Sequence, residues 1–155
     1  MVDWRLKEND KVAKEVASAF VGSLENHTLE NDYFREVLYT GKYAQLVLMC
    51  LKPGEEIGNG VHAEADQFFY VERGKAEFVL NGKETHILKS GDAVLVPAGM
   101  HHNVINASRA GKLKFYTIFS PPSQPAYTIF KTKADAEKAE FEVHNTDWGA
   151  GTGYL

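Results

Sequence analysis

Residues 91–106 read GDAVLVPAGMHHNVIN, and they place two adjacent histidines just after a sharp turn. An apolar run comes before Pro97-x-Gly99, which is a strand-ending turn signal, and a second apolar run follows the histidines. Because neighbouring side chains of a strand point to opposite faces, only one of His101 and His102 can face the interior. The stretch therefore predicts two short strands, with one inward imidazole at the start of the second.

Short apolar runs separated by turn residues continue on both sides of this stretch. Asn81-Gly82 lies between two of them and is suited to a tight type I′ turn. We count eight or nine strands at short, even spacing, which predicts an all-β sandwich or barrel and not a βαβ chain. Helical patterns lie towards the ends, at residues 9–24 and 132–145, and Thr132 is a candidate N-cap for the second.

The composition is that of a single globular domain. The chain has 155 residues, 44% of them apolar and 25% charged, with a net charge of −4. A chain with this negative net charge shows no excess of basic residues for binding nucleic acid. No apolar run is long enough to span a membrane. The charged N-terminus lacks the apolar segment of a signal peptide, and the single Cys50 cannot form an internal disulfide. We therefore expect a cytoplasmic protein, with Cys50 as a small buried hydrophobic side chain.

A second informative stretch is GVHAEADQFFYVERG, residues 60–74. His62 and Glu64 are two residues apart, so on a strand they would project to the same side. Gln67 is an odd number of residues from both, and a bulge or turn at residues 65–66 would bring it to that side. The sequence thus predicts that three polar side chains share one face near the start of a strand.

Interior positions follow along the same run. Phe69 and Val71 are two and four residues beyond Gln67 and share its face of the strand. Tyr116 lies in another strand-like apolar run. We expect Phe69, Val71 and Tyr116 to line the interior.

Together, the two stretches resemble the two motifs of the cupin superfamily, and specifically those of its small single-domain members. The second motif is Gly, five residues, Pro-x-Gly, two residues, His, three residues, Asn. It is matched in full from Gly91 to Asn106, with His102 at the histidine position. The first motif is His-x-His, three or four residues, Glu, six residues, Gly. It is matched at His62 and Gly74, with departures between them.

Two of these departures affect the family's metal ligands. With His62 read as the first histidine, Glu64 replaces the second histidine, and Gln67, with only two residues between it and Glu64, replaces the glutamate. The opening glycine of the first motif is also not at its usual spacing. The two motifs therefore indicate the fold specifically, but they indicate the metal ligands and the reaction less clearly.

The resemblance covers about residues 33–122 and implies an all-β, double-stranded β-helix (jelly-roll) barrel there. Residues 1–32 are then an N-terminal helical extension. Residues 123–155 form a C-terminal strand and helix tail that packs on the barrel.

The resemblance also implies one divalent metal ion per chain, either Fe, Mn, Ni or Zn, near His62, Glu64, Gln67 and His102. Two arrangements are open. In the first, Glu64 is a ligand, and two histidines with a carboxylate resemble a facial-triad Fe(II) site. In the second, His62, Gln67 and His102 form a neutral set around a stronger Lewis acid, and Glu64 is a catalytic general base.

Two classes of function fit this reading. The first is a mononuclear metalloenzyme acting on a small oxygenated substrate, either dioxygenase-like or sugar- or sugar-acid-isomerase-like. The alternative is a non-catalytic cupin that binds or senses a small ligand, with a degenerate metal site, and the Glu64 and Gln67 substitutions motivate it. We also expect a homodimer, because small jelly rolls often cover sheet edges by pairing, and no nucleic-acid or membrane partner.

Overall fold

The computed structural model describes residues 19–145, which form nine strands and two helices. The elements, in chain order, are α1 (Leu24–Glu30), β1 (Arg35–Thr40), β2 (Gln45–Leu51), β3 (Asp66–Arg73), β4 (Lys75–Leu80), β5 (Glu84–Lys89), β6 (Ala93–Val96), β7 (His102–Ile105), β8 (Leu113–Ser120), β9 (Ile129–Phe130) and α2 (Lys133–Asn145). The predicted all-β jelly-roll barrel with a short helix near each end is confirmed.

Two antiparallel sheets build the barrel. The larger has the order β6-β3-β8-β2-β1-β9 and the smaller the order β5-β4-β7. Along β3 the side chains of Gln67, Phe69 and Val71 are buried, whereas the residues between them are half-buried. This period of two places one face of β3 against the space between the sheets.

Aromatic side chains join the two sheets at the centre of the core. Phe69 of β3 packs edge-to-face on Phe78 of β4, with ring centroids 5.0 Å apart, and lies 6.0 Å from the ring of Phe115 in β8. All three are fully buried, and Val71 belongs to the same apolar cluster. Phe69 and Val71 therefore face the interior, as expected, and they fill it as packed core.

Tyr116 lies on the other face of β8. Its neighbours Phe115 and Thr117 are buried, whereas Tyr116 is half-buried and stacks on Tyr70 of β3, with ring centroids 5.2 Å apart. The expectation that Tyr116 lines the interior was therefore wrong. The alternation of β8 directs residues 115 and 117 inward and residue 116 outward.

The predicted hairpin turn is present between β4 and β5. Asn81 and Gly82 both have positive φ, 52° and 68°, and the Lys83 N–H donates to the Leu80 carbonyl at 3.1 Å. Positive φ at both central residues defines the type I′ turn, which asparagine and glycine adopt at low steric cost.

The first helix of the described residues, α1, follows the stretch predicted to be helical. Residues 9–18 of the expected helix lie outside the described residues, and residues 19–23 are not helical. Helix α1 begins at Leu24, where the Ser23 hydroxyl accepts a hydrogen bond from the Asn26 N–H at 3.1 Å. Ser23 is thus the N-cap that the sequence analysis missed.

The second helix has the predicted cap. Thr132 Oγ1 accepts from the Asp135 N–H at 3.1 Å, and Asp135 Oδ2 accepts from the Thr132 N–H at 3.2 Å. This reciprocal pair satisfies two backbone donors at the start of α2. Just before it, β9 pairs with β1 of the same chain.

Cys50 is buried in β2, and its burial raises the pKa of the thiol. The expectation of a small buried hydrophobic side chain is confirmed. No helix within residues 19–145 has the length and apolar character needed to cross a membrane. The cytoplasmic location and the homodimer stay predictions.

Gly74 lies where the chain passes from the larger sheet into the smaller one. Its φ is +89°, and a Cβ at this position would lie 2.8 Å from the Lys112 carbonyl oxygen. Both the left-handed backbone and the close approach of another strand require glycine here.

We expect Gly74→Ala to lower the free energy of unfolding by about 3 kcal/mol, because backbone strain and a clash with a fixed carbonyl add together. Gly91→Ala is the matched control: its φ is +91°, but nothing lies within 4 Å of the added Cβ. That variant should lose about 1–2 kcal/mol, from strain alone. Urea unfolding measures both, and equal losses would contradict the role of the close approach.

Candidate metal centre

The two sequence stretches meet through backbone pairing between Gly60 and His102. Each donates its N–H to the other's carbonyl oxygen, both at 2.9 Å. The carbonyl oxygen of His62, two residues after Gly60, accepts a hydrogen bond from the Gly99 N–H at 2.9 Å. The turn before His102 is thereby fixed against the backbone of His62, which brings the two imidazole rings to a centroid separation of 5.7 Å.

Gln67 completes a cluster with His102. Its Oε1 lies 3.0 Å from His102 Nε2, and its Nε2 donates to Thr117 Oγ1 at 3.0 Å. His102 Nδ1 lies 3.0 Å from the Met100 carbonyl oxygen. A carbonyl oxygen only accepts, so Nδ1 carries the hydrogen and the Nε2 of a neutral ring is an acceptor. Two acceptor atoms therefore face each other.

Two lone pairs at 3.0 Å repel unless a positive charge lies close to both of them. Burial lowers the pKa of His102, which disfavours a charged imidazolium as that charge. Two ligands bound at right angles with bonds of about 2.1 Å are about 3.0 Å apart, so this contact fits a shared cation. Without a cation, turning the Gln67 amide over would let its NH₂ group donate to His102 and its oxygen accept from Thr117.

His62 contributes a third nitrogen. Its Nε2 is buried and has no hydrogen-bond partner in the described part of the chain, whereas its Nδ1 lies 3.1 Å from Ser123 Oγ. The ring packs edge-on against Phe119, with centroids 4.9 Å apart. A buried polar atom without a partner is uncommon in native structures, and this nitrogen is suited to bind a ligand or a water molecule.

The charge state of His62 suits this role. Burial, together with the charges of His102 and Arg35, lowers its pKa to about 4. The ring is therefore neutral at pH 7, and a neutral imidazole is the form that binds metals.

Glu64 does not join this cluster. It is exposed in a turn at residues 63–64, and β3 begins only at Asp66. The expectation that His62 and Glu64 share a strand face was therefore wrong, and the turn that brings Gln67 alongside His62 lies two residues earlier than predicted. In residues 19–145 no three His, Cys, Asp or Glu side chains converge as metal ligands. Glu64 as a ligand or base stays a prediction.

The sequence analysis missed two polar side chains in contact with the cluster, Thr117 and Ser123. Thr117 is a polar residue at an inward position of β8, between Phe115 and Phe119, and this break in an apolar face was a usable signal. Ser123 lies outside both motifs, in the loop after β8, and nothing in its sequence surroundings pointed to His62.

Comparisons with known proteins agree with this fold. The cupin domain family matches residues 47–119. Uncharacterized protein YrkC of Bacillus subtilis (strain 168) is 40% identical over 126 residues, which cover 78% of this chain and 67% of that protein. Uncharacterized protein L612 of Acanthamoeba polyphaga mimivirus is 41% identical over 109 residues, which cover 68% of each.

A solved structure is also similar along most of the chain. The crystal structure of BH2720 from Bacillus halodurans has a TM-score of 0.76 and 36% sequence identity. The match covers 79% of this chain and 96% of that one. The likeness thus extends beyond the strands of the matched domain.

The low pKa of His62 predicts a loss of stability in acid. In the unfolded chain this ring binds a proton near pH 6.5, but in the folded metal-free protein only near pH 4. Between these values the unfolded state holds more protons, so the free energy of unfolding should fall by about 1.4 kcal/mol per pH unit as the pH is lowered, or about 3 kcal/mol in all.

Urea unfolding of the metal-free protein at a series of pH values measures this loss. His62→Gln should show a shallower decline below pH 6.5 than the wild type. His86→Gln is the control, because His86 is exposed on β5, and it should decline like the wild type. Equal slopes for the wild type and His62→Gln would contradict the prediction.

Proposed function

The chain belongs to the cupin domain family, and from this premise we propose that it binds one divalent metal ion through His62, Gln67 and His102 and acts on a small oxygenated molecule. One observation carries the proposal: the buried side-chain amide of Gln67 and His102 Nε2 meet at 3.0 Å beside a His62 Nε2 that has no partner in residues 19–145. A bound cation would interact favourably with the lone pairs of these atoms and would give each of them a partner.

The donor set also indicates the type of chemistry. Two imidazole nitrogens and an amide oxygen carry no negative charge. A divalent cation held by them would act as a strong Lewis acid that polarises a carbonyl or hydroxyl oxygen. This favours proton-transfer chemistry of the sugar- or sugar-acid-isomerase type. Dioxygenase-like chemistry at a facial triad needs a carboxylate ligand, and Glu64 is exposed.

Neighbouring groups hold the three donors in place. The Met100 carbonyl fixes which nitrogen of His102 carries the hydrogen, and Thr117 bonds to the Gln67 amide. The rings of Phe119 and Phe69 pack edge-on against His62 and His102, with centroids 4.9 and 5.8 Å apart. These apolar rings keep bulk water away from the nitrogens, which strengthens electrostatic interactions at the site.

A second candidate, a non-catalytic cupin that binds a small ligand, is favoured by the position of Glu64. It is exposed, and in the described residues no other carboxylate joins the two histidines in a metal-binding group. A site without a general base can bind an oxygenated ligand and leave it unchanged. Metal-loaded protein that binds a sugar acid without converting it would support this candidate over the enzyme.

Metal content tests the proposal directly. Protein purified anaerobically, without a tag or added metal, should contain close to one Fe, Mn, Ni or Zn per chain by mass spectrometry. His102→Ala should lose it, because that substitution removes a ligand nitrogen. His101→Ala is the matched control, since the adjacent imidazole is exposed, and should retain it. Wild-type protein that holds no metal and cannot be loaded would overturn the proposal.

Gln67→Glu should bind the same metal at least about tenfold more tightly, because a carboxylate adds a negative charge to an otherwise neutral buried donor set. Gln67→Leu, of similar size without a donor atom, should bind more weakly than the wild type. Competition titration with a chromophoric chelator measures all three affinities. A Gln67→Leu variant with wild-type affinity would show that Gln67 is not a ligand.

A further inference from the structure

The loop between β8 and β9 is tied to the start of β2 by one fully buried amide, that of Gln45. Gln45 Oε1 accepts the N–H groups of Ser123 and Gln124, at 3.1 and 2.9 Å, and its Nε2 donates to the Gln124 carbonyl at 2.8 Å. A further bond runs from Nε2 to Thr40 Oγ1 at 3.0 Å. Because backbone donors and a backbone acceptor define its two ends, the orientation of this amide is unambiguous.

The residue that this clamp holds reaches the candidate metal centre. Ser123 Oγ lies 3.1 Å from His62 Nδ1. Within residues 19–145 the His62 ring makes no other hydrogen bond, since its Nε2 has no partner there. The two residues are 61 positions apart in the chain. The rotation of the ring therefore depends on where the loop places one hydroxyl group.

The direction of this hydrogen bond decides which nitrogen of His62 is free. If the hydroxyl donated to Nδ1, the hydrogen of the ring would lie on Nε2, where it is buried and has no acceptor in the described residues. If the hydroxyl accepts from Nδ1–H, Nε2 keeps its lone pair, and the half-exposed hydroxyl can donate to solvent. In either direction Nε2 lacks a partner among the described residues, as a donor in the first and as an acceptor in the second; only the second leaves its lone pair able to bind a cation, so the second direction is favoured.

We propose that Ser123 is a positioning residue: it holds His62 as the Nδ1–H tautomer, with Nε2 free to bind a cation, and Gln45 holds Ser123 in place. Hydrogen bonds to the remote nitrogen of metal-binding histidines fix the ring in this way and typically change metal affinity by about 10- to 100-fold. The inference rests on the proposed function for the identity of the ligand, but the tautomer exists without metal and can be measured separately.

The test compares the ring nitrogens of His62 in metal-free wild type, Ser123→Ala and Ser123→Thr by ¹⁵N NMR at neutral pH. We expect hydrogen on Nδ1 in the wild type and in Ser123→Thr, which keeps the hydroxyl, and a shift towards Nε2–H in Ser123→Ala. Zn²⁺ affinity by chelator competition should fall about 10- to 100-fold in Ser123→Ala alone. Ser90→Ala is the control, because this serine bonds to the Glu72 carbonyl away from the cluster.

An unchanged tautomer in Ser123→Ala would overturn the proposal. A shifted tautomer in a protein that binds no Zn²⁺ even as wild type would support the positioning role and reject the metal-binding function instead. Gln45→Met tests the clamp and should reproduce the tautomer shift of Ser123→Ala. If it does not, the role assigned to Gln45 is wrong and Ser123 is held by the rest of the loop.

Discussion

The facing pair of Gln67 Oε1 and His102 Nε2 is the contact on which the candidate site depends. Its two atoms come from different sheets, because Gln67 lies on β3 of the larger sheet and His102 on β7 of the smaller one. Both groups are buried, so neither can turn to water for a partner. The barrel therefore encloses a polar cluster whose hydrogen bonding is supplied from inside, among the described residues by Thr117 and by the Met100 carbonyl.

The remaining architecture serves to bring these atoms together. Core packing of Phe69 against Phe78 joins the sheets beneath the cluster, and Gly74 lets the chain cross from one sheet to the other. Pairing of Gly60 with His102 then fixes His62 beside the second histidine. The apolar core thus determines the distance between the sheets, and the polar cluster occupies one part of that interior.

Burying two neutral imidazoles has a thermodynamic consequence. The pKa of His62 is lowered to about 4 chiefly by burial, so protonation opposes folding in the metal-free protein. The same neutrality leaves a lone pair free at physiological pH. A group that weakens the fold in acid is therefore the group that makes the site suitable for a cation, and such conflicts are typical of functional sites.

Much of the fold could be predicted from local sequence. The alternation of β3 and the Asn81-Gly82 turn follow from backbone geometry within a few residues, whereas the selection of His102 over His101 came from the resemblance to the cupin motif. The tertiary structure alone decided that Glu64 is exposed and that Ser123 contacts His62. Side chains alternate between two faces only within a strand. Residues 63–64 form a turn, so the alternation of β3 does not extend back to Glu64. Ser123 lies 61 residues from His62, and sheet pairing and the Gln45 clamp, not local sequence, set that contact.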